Sequence, residues 1–327
     1  MTGFSPSPAD FIVVRDGAAG ALRGAVVAIG NFDGVHRGHR TVIGVAQARA
    51  SALGCKAAVL TFSPHPRLFF RPQEPLFQLS TDRNKLRLLA ATGLAGAFVL
   101  PFDTVLAATS AQDFIERILV ERLGIAGAVI GFDFHFGQKR AGSPDYLTEQ
   151  GARHGFTVDV VPPLRDDGRP VSSGEVRKAL IAGQVEDAAG LLGAPWFVSG
   201  AVIHGAKRGR DLGFPTANLK LDPSCGLRHG IYAVRTRVGD RLIDGVASFG
   251  RRPTFDDGAP LLEVYLFDFS GDLYGESLDV AFIGWIRAEE KFDSIDALKA
   301  RMAIDAAQAR DALGRSGQAF PALGRIG

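Results

Sequence analysis

The stretch Ala25-Val-Val-Ala-Ile-Gly-Asn-Phe-Asp-Gly-Val-His-Arg-Gly-His39 decides how this chain is read. An apolar run of β type (residues 25–30) stops at a glycine. Two histidines follow in the spacing His-x-Gly-His, and a helix-compatible stretch (38–53) begins. That order sets His36 and His39 beside a helix start at the carboxyl end of a strand. The first N–H groups of a helix lack internal partners and the positive end of the macrodipole lies there, so phosphate is attracted. Imidazole donates to phosphate whether neutral or protonated. The stretch therefore reads as a nucleoside triphosphate site, and no Walker-type Gly-x-x-x-x-Gly-Lys-Ser/Thr occurs near it. Two histidines alone could decorate an ordinary loop. Gly30, Asn31, Phe32, Asp33, Gly34 and Gly38 around them favour binding.

Outward from this stretch, strand and helix signals alternate. Strands are predicted at 25–30, 56–62, 97–100, 126–131 and 156–161, and helices at 38–53, 81–91, 110–123, 143–154 and 173–182. Alternating βα units predict a Rossmann-like α/β domain, a parallel sheet with helices on both faces. Ligands gather at the carboxyl ends of such strands, where Gly30, Phe62 and Gly131 fall. After a short helical piece (185–192) the character changes. Short β-type runs at 197–203, 231–238, 242–248, 261–269 and 277–282 are separated by Gly, Pro and Asp, which predicts an antiparallel barrel or sandwich. A helix at 295–312 closes it, and the tail after Gly314 is expected to fray. The reading is an α/β module over 1–184, an all-β module over 185–314, and a tail over 315–327.

Composition sets bounds. The 327 residues are too many for one ordinary core. Hydrophobic content of 46% and charged content of 22% are those of a globular chain. A net charge of +2 gives no argument for nucleic acid or an anionic membrane. Cys55 and Cys225 form neither a zinc site nor a disulfide framework. No basic n-region and no run near the ~20 apolar residues of a spanning helix is present, so the cytoplasm is the default expectation.

Further segments carry polar residues at neighbouring strand ends. Thr61-Phe-Ser-Pro-His-Pro66 offers His65, which alone reads as a loop histidine. Gly131-Phe-Asp-Phe-His-Phe-Gly-Gln-Lys-Arg-Ala-Gly142 is either a turn with aromatic anchors or an apolar pocket for a ring system, with Asp133 as polar contact and Arg140 close by. Val171-Ser-Ser-Gly-Glu-Val-Arg177 sets Ser172, Ser173 and Arg177 around a helix start, either an ordinary cap or an anion cradle.

The second half has its own signature, Gly200-Ala-Val-Ile-His-Gly-Ala-Lys-Arg-Gly-Arg-Asp-Leu-Gly-Phe-Pro-Thr-Ala-Asn218. Glycines such as Gly205, Gly209 and Gly213 let backbone approach a ligand, and Lys207, Arg208 and Arg210 make the loop cationic. A mobile basic loop or a nucleic-acid contact is the plainer alternative. Pro215-Thr-Ala-Asn218 reads as a rigid turn presenting a hydroxyl and an amide, suited to Mg²⁺ and phosphate oxygens. Glu263 sits in an apolar strand, where a lone Glu usually faces outward.

These residues carry a resemblance. Gly-Asn-Phe-Asp-Gly-Val-His-x-Gly-His, Thr-Phe-x-Pro-His-Pro and Gly-x-Asp-Phe-x-Phe-Gly-x-x-Arg-x-Gly resemble the adenylyltransferase module of bacterial bifunctional riboflavin kinase/FAD synthetases. The Gly-rich loop with Pro-Thr-Ala-Asn is similar to that of riboflavin kinases. So are Gly245-Val-Ala-Ser-Phe-Gly-Arg-Arg-Pro-Thr-Phe255, Leu262-Glu-Val-Tyr-Leu-Phe-Asp-Phe-Ser-Gly-Asp-Leu-Tyr-Gly275 and Ile286-Arg-Ala-Glu-Glu-Lys-Phe292. Seven motifs stand in order over residues 20–310. The resemblance implies riboflavin phosphorylation to FMN by a Greek-key barrel with a closing helix. It then implies adenylylation of FMN to FAD by a nucleotidyltransferase domain. It implies that His36 and His39 grip ATP phosphates, and that Gly30, Asn31, Phe32, Asp33, Gly38, Ser172, Ser173 and Arg177 line that ATP site. Phe62, His65, Asp133, Phe136 and Arg140 would meet the flavin there.

In the kinase half it implies ATP contacts from Gly205, Lys207, Gly209, Arg210, Gly213 and Pro215, and Mg-ATP held by Thr216 and Asn218. Glu263 would be the general base, with Arg287 and Phe292 near the flavin. Mg²⁺ is the implied cofactor; riboflavin, FMN and ATP are the implied partners, with no nucleic acid and no membrane, and self-association through the modules stays open. Two departures stand out. Gly174 replaces the family's Thr in the fourth motif, which bears on the adenylylation rate. Tyr265 stands where His is common, a change expected to be tolerated. A chain with only the kinase working, or a flavin- or RNA-binding regulator, are the competing readings. Intact His36 and His39 argue against the first, and intact Thr216, Asn218 and Glu263 against the second.

Overall fold

The computed structural model describes residues 11–204, 213–251 and 260–326. The chain divides into two compact units. The first takes residues up to 76, 80–172 and those from 322 onward; the second takes 77–79 and 173–321.

The first unit is built on six parallel strands: β1 (Ile12–Arg15), β2 (Val26–Ile29), β3 (Ala57–Ser63), β4 (Gly96–Pro101), β5 (Gly127–Gly131) and β6 (Thr157–Val161). Their order is β1-β4-β3-β2-β5-β6. The order reverses between β2 and β5, so a crevice is expected at their carboxyl ends, the place where doubly wound sheets take ligands. Gly30 and Gly131 fall on its two sides. Every residue of β2 is buried, as parallel strands covered on both faces require. The predicted strands are found within one or two residues. β1 was not predicted: three half-buried residues and an exposed one on an edge strand give no clear period.

Helices follow their caps. His36 caps α1 (Arg37–Leu53), which Gly54 ends in the left-handed region. His65 caps α2 (Pro66–Phe70), and Thr81 caps α3 (Asp82–Ala90). After α4 (Thr104–Ala108), α5 (Ala111–Asp113) opens on Ser110 and runs into a π-helical stretch, Phe114–Arg122. α6 (Pro144–His154) has Ser143 as cap and Pro at its first turn. A hairpin of β7 (Arg165–Asp166) and β8 (Arg169–Pro170) leads to the end of the unit.

The second unit opens with α7 (Ser173–Ala182) and α8 (Val185–Leu192). A closed antiparallel barrel follows: β9 (Phe197–Ile203), β10 (Thr216–Lys220), β11 (Gly230–Val238), β12 (Arg241–Arg251), β13 (Pro260–Leu266) and β14 (Ser277–Arg287). The order β10-β13-β12-β11-β14-β9 places β10 beside the last strand of the β11–β13 meander, a Greek-key arrangement. Closure removes sheet edges, so the barrel reading holds and the sandwich does not. Leu219, Leu262, Val264, Leu266, Val234 and Phe282 fill the interior. A closing helix, Ile295–Arg315, follows. Among the described residues no helix is long and apolar enough to cross a membrane.

Two expectations need correction. Residues 216–218 are not a turn but the start of β10, because Leu219 and Ala217 alternate into the core and recruit the segment into the barrel. The tail does not fray. Arg235 donates to the Ala319 carbonyl (3.2 Å), Arg237 sits over the Phe320 ring at 4.6 Å, and the Gly324 amide donates to the Arg87 carbonyl (2.9 Å). Ile326 bridges to Phe11. One buried and one half-buried arginine, a backbone hydrogen bond and a strand bridge offset the entropy that its glycines would otherwise favour.

Candidate active sites

The first site lies at the carboxyl ends of β2 and β3. The loop from β2 to α1 is contorted: Phe32, Gly34 and Val35 all have φ between 46° and 79°. Positive φ in a buried β-branched residue is strained and persists only where its surroundings hold it. Asp33 supplies that hold. Its buried carboxylate accepts from the Ser80 amide (3.1 Å) and hydroxyl (3.3 Å), and the Gly34 amide donates to the same hydroxyl (3.2 Å). Asp33 thus braces the loop. Thr61 Oγ1 donates to the Asn31 carbonyl (3.1 Å), tying the two strand ends together.

The bent loop delivers His36 and His39 stacked, with ring centroids 3.6 Å apart and planes 21° apart. His36 Nδ1 accepts from the His39 amide (3.3 Å), which puts the proton of a neutral ring on Nε2. His39 Nδ1 is buried and has no hydrogen-bond partner among the described residues. Burial, then the charges of His36 and Lys85, push its imidazole pKa well below the ordinary value. Gly38 is required: a Cβ there would stand 2.9 Å from the Val171 carbonyl oxygen.

Phe62 is buried, edge-on to Phe102 at 5.8 Å, while Phe70 remains 63% exposed. His65 accepts from the Arg67 amide (3.1 Å) as the cap of α2. Of the 131–142 segment, Asp133 and Arg140 are exposed, whereas Phe136 is buried against Phe114 and Phe134. Phe136 is therefore an anchor of the core, and Phe132, 52% exposed, is the open aromatic ring of the segment. Ser172 ends the first unit; Ser173, Gly174 and Arg177 belong to α7 of the second, where Arg177 Nε donates to the Phe77 carbonyl (2.6 Å). Lys85 was missed by the sequence reading. Its only signal was a cation on the side of α3 that Leu86 and Leu89 bury.

The second site is on the outside of the barrel. Register pairs Asn218 with Glu263, Glu263 with Ser248, Ser248 with Ile231, and Ile231 with Arg287. Directly opposed residues of an antiparallel pair share a face. One row thus crosses five strands in the order Asn218, Glu263, Ser248, Ile231, Arg287, with about 4.8 Å per step. Asn218 is buried and its Nδ2 donates to the Thr216 carbonyl (3.3 Å), while Oδ1 has no partner among the described residues. An unpartnered hard oxygen with the Thr216 hydroxyl on the same face fits Mg²⁺. Tyr265, opposite Thr216, meets the Phe214 ring at 5.2 Å.

Gly213 and Pro215 are exposed just before β10. Gly205, Lys207, Gly209 and Arg210 lie outside the described residues. Arg287 is committed on one side: it donates to both oxygens of buried Asp305 (2.8 and 2.6 Å) and to the Ala288 carbonyl (2.8 Å), with Phe292 5.8 Å from its guanidinium. The ion pair raises its already high pKa.

Comparison with known proteins places this geometry. A FAD synthetase family model matches residues 19–175, and a riboflavin kinase family model matches 192–313. The bifunctional riboflavin kinase/FMN adenylyltransferase of Pseudomonas fluorescens is 42% identical over 289 residues, 88% of this chain and 93% of that protein. Those of Escherichia coli K12 and Bacillus subtilis 168 are 38% and 37% identical, covering 89% and 87% of this chain and 93% and 91% of those proteins. A Streptococcus pneumoniae crystal structure, described as a macrolide-efflux protein, superposes with a TM-score of 0.83 at 32% identity, covering 92% of this chain and 99% of that one. With an adenylyltransferase part in the parallel-sheet unit and a kinase part in the barrel unit, the chain belongs to the bifunctional riboflavin kinase/FMN adenylyltransferases.

Proposed function

We propose that the two activities divide among the residues as follows. On the barrel, Glu263 takes the proton from the terminal ribityl hydroxyl of riboflavin as that oxygen attacks the γ-phosphorus of ATP. The new P–O bond forms while the bond to the leaving ADP oxygen breaks, giving FMN. Thr216 and Asn218 would hold Mg²⁺, which with ATP neutralises phosphate charge. Arg287 and Phe292 flank the flavin at the far end of the row. The observation that carries this is the opposition of Asn218 and Glu263 on neighbouring strands. It sets a base beside an oxygen that has no partner among the described residues.

In the parallel-sheet unit, an FMN phosphate oxygen attacks the α-phosphorus of ATP, and pyrophosphate leaves with the bridging oxygen. This nucleophile is already anionic and needs no base. His36 and His39 donate N–H to the phosphate oxygens where charge develops, at the start of α1. Gly30, Asn31, Gly38 and Ser172 line the triphosphate, and Phe62, His65, Asp133 and Arg140 face the flavin. Asp33 contributes by bracing the loop.

The test is a time course with riboflavin, ATP and Mg²⁺, the flavins resolved by chromatography. FMN first and FAD later is the expected result, and variants at Glu263 and at His39 should each block one step. A Glu263→Gln protein that forms FMN at the parent rate removes the assigned base.

A further inference from the structure

Lys85 is a buried cation that the reaction scheme does not use. Its side chain is 8% exposed, on the core side of α3. Nζ donates to the Phe62 carbonyl (3.1 Å) and pairs with Asp82 (3.3 Å). Asp82 in turn accepts from the Ser63 hydroxyl. Two residues one turn apart on α3 thus grip the last two residues of β3. The strand end they hold begins the Phe-Ser-Pro-His run, and its neighbour Thr61 is bonded to Asn31 of the histidine loop. The charge of Lys85 also reaches His39.

A buried ammonium is costly unless paired and hydrogen-bonded. A core leucine would serve packing alone at less cost. The Phe62 carbonyl lies at the carboxyl end of β3, beyond the last residue that β2 pairs with. A charge-assisted bond at that point is stronger than a neutral one and fixes the peptide whose side chain walls the site.

We propose that Lys85, together with Asp82, is a positioning residue for adenylyl transfer: it locks the carboxyl end of β3 so that Phe62 stands where the flavin ring of FMN packs. This rests on the reading of Phe62 as a flavin contact. The hydrogen bonds of the clamp fall on the end of β3, so it acts first on FMN placement, and the barrel is untouched.

The experiment uses the full chain and steady-state adenylylation with FMN and ATP varied separately. Lys85→Met, Asp82→Asn and Phe62→Ala are compared with the parent, and riboflavin phosphorylation by the barrel reports on folding and amount. The expected result for Lys85→Met is a KM for FMN raised at least fivefold and by a larger factor than the KM for ATP, with the riboflavin kinase rate within twofold. Asp82→Asn should raise the KM for FMN in the same direction by a smaller factor. A merely structural lysine would lower the amount of active enzyme and leave that KM alone. Should Lys85→Met fail to fold, Asp82→Asn decides, because its side chain is half-exposed and the swap is isosteric. A KM for FMN within twofold of the parent in the deciding variant, while Phe62→Ala raises it, overturns the clamp and leaves the site reading standing. An unchanged KM in Phe62→Ala overturns the site reading and the clamp with it.

Discussion

Asn218 and Glu263 stand directly opposite each other on β10 and β13, both on the outer face of a barrel whose interior is filled with aliphatic and aromatic side chains. An amide oxygen without a partner among the described residues and a carboxylate therefore lie side by side on one face. Replacing Glu263 by Gln keeps the shape and removes the proton acceptor. FMN formation should fall by about 10²–10⁴-fold, while conversion of supplied FMN to FAD proceeds at the parent rate. Both are read by chromatography on one preparation, and parallel loss of the two activities would reassign the effect to misfolding.

Asn218→Ala tests the metal side of the same patch. Losing the buried oxygen should raise the Mg²⁺ concentration needed for half-maximal FMN formation. Even disturbing an outer partner of a metal ligand costs about 10–100-fold in affinity, so a shift of tenfold or more is expected. A Mg²⁺ titration of the kinase rate that matches the parent curve would take Asn218 out of the site.

Gly38→Ala tests the helix start. The added methyl would press on the Val171 carbonyl at 2.9 Å and on the His36 ring at 3.1 Å. Overpacking of this kind costs about 1–3 kcal/mol. FAD formation should drop at least tenfold with FMN formation unchanged. A rate of FAD formation equal to the parent's would show that the loop yields freely.

How far the sequence could be read depended on what kind of information each feature needed. The βα alternation and the capping residues Ser110, Ser143 and Thr81 are local, and the predicted elements fall where they appear. β10 was hidden because Pro215 looks like a turn residue and only pairing with β13 reveals the strand. The resemblance offered Asp33, Phe136 and Arg287 as ligand contacts. It gave no sign of the partners the structure adds: Asp33 meets Ser80, Phe136 meets Phe114, and Arg287 meets Asp305. Such partners lie 18 or more residues away, and no local pattern encodes them.

His39 makes the first unit sensitive to acid. Burial first, then the charges of His36 and Lys85, hold its pKa well below the ordinary value. The unfolded chain therefore takes up the proton first as pH falls, so stability is full above about 6.5 and declines below it. The decline is at most about 1.4 kcal/mol per pH unit from this one group. Urea unfolding midpoints measured from pH 7.5 to 5 should show it, and His39→Gln should flatten the slope. An identical slope in that variant would assign the acid sensitivity elsewhere.

The way the chain is shared between the units has a consequence for dissecting the protein. Residues 77–79 count with the barrel unit, where the Leu79 carbonyl accepts from Trp196 Nε1 (2.8 Å) and the Phe77 ring meets Trp196 at 5.7 Å. The last residues count with the parallel-sheet unit, where Gly324 and Ile326 are bonded. Neither unit is one uninterrupted stretch of polypeptide. A single scission near residue 172 would leave the kinase fragment without the aromatic plug against Trp196, and would strip the adenylyltransferase fragment of its final strand bridge. The two enzymes are thus interlaced along one thread, and the activities are better separated by point substitution than by the scissors.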